Sequence, residues 1–113
     1  MGKIVILENQ FHYRQELPLY MGDNIIGRYQ KGQNIQCPVE SSDPSIDMHH
    51  CMIRVKRNKK GAVQFILSDG PSYTGTFVGD EIIADGEQRN IDHGTVFTMR
   101  ATSAILKTHE EEE

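Results

Sequence analysis

Along the chain, apolar residues recur in short runs that alternate with polar ones, and no stretch holds a helical period for three turns. The clearest run is Cys51 to Arg57, where Cys51, Ile53 and Val55 share one face and Met52, Arg54 and Lys56 the other. Ala62 to Ser68 repeats the pattern with Val63, Phe65 and Leu67 inward. Between the two, Asn58 to Gly61 has the composition of a hairpin connection. Shorter runs are Lys3 to Leu7, Leu17 to Met21, Ile25 to Arg28, Thr76 to Val78, Glu81 to Ile83, Thr95 to Arg100 and Thr102 to Lys107. Gly-Pro, Val-Gly-Asp, Asp-Gly and His-Gly punctuate them as turn signals. About ten short strands predict an all-β fold, an antiparallel sandwich of two sheets. The connections Tyr29 to Asp47 and Ser68 to Thr76 are long for a sandwich, and long ordered loops often carry binding function.

Composition changes this picture little. At 113 residues the chain is one domain's worth. The expected unit is 1–108, with 109–113 an acidic tail or the start of a linker. The formal net charge is -4, and the terminal run Glu110 to Glu113 accounts for it. That balance argues against nucleic acid as the main partner. The apolar stretches are short and interrupted, so no segment is expected to cross or anchor in a membrane. Two cysteines and no signal-like start point to a reducing cytoplasm.

Asp43 to Cys51 sets two histidines beside a cysteine and raises the question of a metal or a nucleophile. On a strand, His49 and Cys51 would share one face and His50 would take the other, so the three cannot converge on an ion. No second ligand pair with metal spacing occurs, and no metal or other cofactor is expected. A Cys-His pair fails on the same geometry, and Ser72 has no nucleophile context, so the chain reads as a non-enzyme. Ile26-Gly27-Arg28 differs: an arginine directly after a glycine, at the end of an apolar run, can meet a phosphate bidentately.

Downstream segments give that arginine a context. The chain resembles the forkhead-associated (FHA) domain family through four pieces in order. They are Gly27-Arg28; Asp43-Pro44-Ser45-Ile46 leading to His50-Cys51-Met52-Ile53; Leu67-Ser68-Asp69 followed by Ser72 to Gly79; and Ile91 to Phe97. The resemblance implies a SMAD/FHA-like sandwich and a protein–protein interaction module that binds phosphothreonine on a partner. It places Arg28, Asp47, Met48, Tyr73 and Thr74 at the phosphopeptide, with Gly27, His50 and Gly75 bracing the loops. The chain departs from the family at several of these positions. Asp47 stands where a serine normally donates to phosphate, Met48 where an arginine is common, and Thr74 where an asparagine holds the peptide backbone. Tyr73 replaces a small polar residue. Phosphothreonine carries about -1.5 to -2 charges, so a carboxylate beside it implies weakened binding. Asp47 is expected either to pair with Arg28 or to cap a turn. The alternative implied is a phosphate-independent scaffold or assembly domain of a larger signalling or secretion protein, with an unphosphorylated partner.

Overall fold

The computed structural model of the chain describes residues 2–8, 13–41 and 43–108; the expected acidic tail lies outside them. Eleven strands occur among these residues: β1 (Gly2–Glu8), β2 (Tyr13–Leu19), β3 (Gly22–Arg28), β4 (Cys37–Val39), β5 (Cys51–Arg57), β6 (Val63–Asp69), β7 (Thr76–Val78), β8 (Glu81–Ile82), β9 (Arg89–Ile91), β10 (Val96–Met99) and β11 (Thr102–Thr108). They form two sheets, a six-stranded one in the order β2-β1-β11-β10-β7-β8 and a five-stranded one in the order β4-β3-β5-β6-β9. No helix of the structure is long and apolar enough to cross a membrane.

Alternation places the core. On β5, Cys51, Ile53 and Val55 are buried while Arg54, Lys56 and Arg57 are exposed, as the pattern predicts. On β6, Phe65 and Leu67 are buried, and Val63 at the start of the strand is only partly covered. From the other sheet Ile4, Ile6, Phe97, Met99, Ala104 and Leu106 meet them, each wholly buried. The predicted hairpin forms: Asn58 donates its N–H to Ala62 O at 2.8 Å, and its Oδ1 accepts the N–H groups of Lys60 and Ala62.

Three features differ from the sequence reading. Tyr29 to Asp47 is not one long loop, because β4 lies within it, and β9 forms in a polar stretch. β4 also pairs with β3 in parallel, through Ile26↔Cys37 and Arg28↔Val39, so the five-stranded sheet is mixed. Strands of three residues leave almost no periodicity to read, and pairing direction leaves none. Finally, the second strand starts at Tyr13, and Tyr20 and Met21 belong to the turn after it.

That turn is built around Asn24, which is wholly buried although polar. Its Oδ1 accepts Tyr20 N–H at 2.9 Å, and its Nδ2 reaches Tyr20 O at 2.8 Å and Ile53 O at 3.1 Å. The side chain thus ties the start of β3 to β5. Removing it strands buried backbone groups, so Asn24→Ala is expected to lower stability by about 1–3 kcal/mol. Urea unfolding should show a lower midpoint at an unchanged slope.

Candidate functional site

β3 delivers Gly27 and Arg28 to one end of the sandwich, where three loops converge: 29–36, 40–50 and 70–75. The 40–50 loop crosses directly over Gly27. A Cβ there would lie 1.9 Å from Met48 O and 2.8 Å from Asp47 O, so only glycine admits this crossing. Arg28 N–H donates to Asp47 O at 2.9 Å, and its Nε donates to Ile46 O at 3.0 Å. Among the described residues its two Nη groups donate to no protein acceptor, and they remain available to an anion.

His50 is wholly buried and joins the loops. Its Nδ1 accepts Asp47 N–H at 3.1 Å, which puts the ring proton on Nε2, and Nε2 donates to Gly75 O at 2.9 Å. Its backbone N–H donates to Ile26 O, and its carbonyl accepts Gly70 N–H, each at 2.9 Å. Gly70 and Gly75 have their own reasons to be glycine. A Cβ on Gly70 would strike His49 O at 2.1 Å, and Gly75 sits at φ +88. His49, by contrast, is exposed and meets Gln33 Nε2 through its own Nε2 at 3.1 Å. Cys51 points into the core, 3.8 Å from Met99 Sδ, and burial pushes its thiol pKa well up; burial likewise takes Cys37 to about 12. The histidine–cysteine run is therefore split between surface, loop brace and core. Among the described residues no three metal-ligating side chains gather.

Asp47 neither pairs with Arg28 nor caps its own turn. Its Oδ2 accepts Tyr73 N–H at 2.6 Å, which links the 40–50 loop to the 70–75 loop. No ion pair joins it to Arg28 among the described residues. The Tyr73 ring, 93% exposed, and Met48 flank it on the surface. Thr74 Oγ1 is turned toward Ser45 O at a long 3.5 Å.

Two further carboxylates shape the loops, and the sequence reading gave them no role. Asp43 Oδ1 accepts both the N–H and the hydroxyl of Ser45, and the Ser45 hydroxyl contact in particular lowers its pKa. Asp69 Oδ1 accepts the hydroxyls of Ser72 at 2.6 Å and Thr76 at 2.8 Å, and Oδ2 accepts Ser72 N–H at 2.9 Å. Ser72 Oγ in turn accepts Gly75 N–H at 2.8 Å. The spacings Asp-x-Ser and Asp-x-x-Ser are capping patterns that could have flagged both.

The arrangement is an anion-facing arginine set among loops that are already fixed. Residues 24–100 match the family profile described as FHA domain. The chain belongs to the FHA domain family. Solved structures agree on the fold. An FHA domain from work on phosphothreonine-dependent FHA interactions is 21% identical, with a TM-score of 0.66 over 95% of this chain and 97% of that one. The FhaA FHA domain, solved with the intracellular domain of Rv3910, is 20% identical, with a TM-score of 0.68 over 95% and 100%. The FHA domain of CT664 from Chlamydia trachomatis is 20% identical, with a TM-score of 0.72 over 96% and 97%. No protein among the curated sequences matches the chain.

Two outcomes follow from this geometry. Gly27→Ala drives a methyl into backbone that cannot yield without moving the loop, and should destabilise this FHA domain by about 1–3 kcal/mol or more. Thermal unfolding measures it. The second concerns acid. Burial raises the Asp69 carboxyl, but its bonds from Ser72 and Thr76 outweigh burial and hold the pKa below the ordinary 3.8. A depressed folded-state value gives stability that is full above the unfolded pKa and lost as pH falls through the folded one. As pH falls below about 4, urea midpoints should therefore fall more steeply for the native chain than for Asp69→Asn.

Proposed function

We propose that the loop end of this FHA domain is a phosphothreonine-peptide surface whose affinity for phosphate is lowered by Asp47. The partner is a threonine-phosphorylated protein, and the role is recognition rather than catalysis. Arg28 supports the phosphate half of the reading, since its Nη groups face no internal acceptor. One observation carries the attenuation: the Asp47 carboxylate is held by Tyr73 N–H at 2.6 Å, so swinging away from an arriving anion costs it that bond. At about 5 Å and an effective dielectric of about 20, a carboxylate repels each unit of phosphate charge by about 3 kcal/mol before screening. Half of that remaining after screening still costs about tenfold in affinity. Both cysteines are free thiols, which suits a cytoplasmic setting, and neither nucleic acid nor a membrane enters this role.

A second reading has its own observation. Tyr73 and Met48 expose large apolar side chains beside Asp47, which suits a partner bound without phosphate. The two separate on a titration of phosphothreonine peptides against their unphosphorylated counterparts. Phosphate-dependent binding that is weak in the native chain, absent in Arg28→Ala and about tenfold tighter in Asp47→Asn supports the first. Asp47→Asn keeps an acceptor for Tyr73 N–H while removing the charge, and Asp47→Ser with Thr74→Asn should tighten binding further. Equal affinity for both peptide forms in all variants favours the second.

A further inference from the structure

The opposite end of the sandwich carries chemistry that the loops do not use. At a strand's rise of about 3.4 Å per residue, Arg57 lies about 20 Å along β5 from Cys51. There Lys56, Arg57, Lys59 and Lys60 all stand exposed, a third of the chain's 12 Lys and Arg, in a protein whose net charge is -4. None of the four forms an ion pair among the described residues. The turn presenting them is braced, with Asn58 Oδ1 accepting two turn N–H groups and Arg57 Nη1 donating to Gly61 O at 2.9 Å.

Beside this hairpin opens a cavity of about 340 Å³, with Val63, Phe65 and Ile91 as its apolar lining and Arg57, Asp92 and His93 among its polar lining. His93 Nδ1 accepts Thr108 N–H at 3.1 Å, which leaves Nε2 as a donor. Asp92, the acid of the lining, has Oδ1 engaged by the Thr95 hydroxyl at 3.0 Å. Two donors, Arg57 and His93, beside an apolar lining, with exposed lysines on the adjoining hairpin, suit an anion that carries an apolar group.

We propose that the β5–β6 hairpin and this cavity form a second binding site, for an acidic peptide segment that inserts one bulky apolar side chain. Charge complementarity selects the acidic segment, and the apolar lining selects the anchor. A nucleic-acid duplex or an anionic lipid surface would meet the cations but give the cavity no side chain to enclose.

The test is a fluorescein-labelled polyglutamate peptide with one central phenylalanine, titrated by fluorescence polarisation and mapped by two-dimensional amide NMR on the whole chain. Shifts should concentrate at residues 56–65 and 91–93. Lys59→Glu with Lys60→Glu, both at an exposed turn, should weaken binding about tenfold. Replacing the peptide's phenylalanine with serine should weaken it about tenfold as well. Arg28→Ala should leave it unchanged, which separates this site from the loop site. Shifts centred on Met48 and Tyr73, or equal binding of the serine peptide, would overturn the proposal. So would tighter binding of a DNA duplex, or of vesicles of equal parts phosphatidylserine and phosphatidylcholine.

Discussion

A buried imidazole with both ring nitrogens committed is the constraint on which the loop end depends. His50 bonds Asp47 N–H through Nδ1 and Gly75 O through Nε2, while its own backbone bonds Ile26 and Gly70. One residue thus fastens the end of β3, the 40–50 loop and the 70–75 loop. Burying an imidazole is unfavourable unless each polar atom finds a partner, and here each does. The demand runs both ways, because among the described residues Gly75 O and Asp47 N–H bond only this ring. Gly27 follows from the same arrangement, since the loop that His50 pins is the one that crosses it.

Such fastening makes the loops ready before any partner arrives. Among the described residues no buried side-chain nitrogen or oxygen lacks a partner, and the Asp69–Ser72–Thr76 cluster needs no ligand to complete it. Preorganisation of this kind lowers the entropy that binding must overcome. Asp47 turns part of that advantage inward. By accepting Tyr73 N–H it consumes a donor at the loop surface, and it ties its own carboxylate to the 70–75 loop.

Much of this could be read from residues alone. Alternation over seven residues made β5 and β6 visible with the correct faces, and Gly27-Arg28 and His50 stood out through the family resemblance. β4 and β9 escaped because three residues give no period, and the partners of β4 come from β3 in a parallel register that no local pattern encodes. Asp47 was visible as a departure, but its partner was not. Pairing with Arg28 was the obvious electrostatic choice, whereas Asp47 Oδ2 accepts from a backbone N–H 26 residues away that only the folded loops bring near. Side-chain to backbone bonds between loops carry no signature in either residue's identity, so the family resemblance could mark the loop-end residues but not their wiring.

The charge pattern shows what a rigid sandwich does with short polar segments. Acidic side chains gather at the Arg28 end, where most are spent on neighbouring N–H and hydroxyl groups, while the hairpin cations at the other end form no ion pair among the described residues. Strands rather than a linker join the two ends, so their separation of about 20 Å is fixed to within the stiffness of a sheet. A partner touching both ends must therefore present its two features across at least about six extended residues. A partner spaced to match gains from the second contact as an intramolecular event, and one spaced otherwise gains nothing. The fold sets that ruler, and the side chains at each end decide what is measured against it.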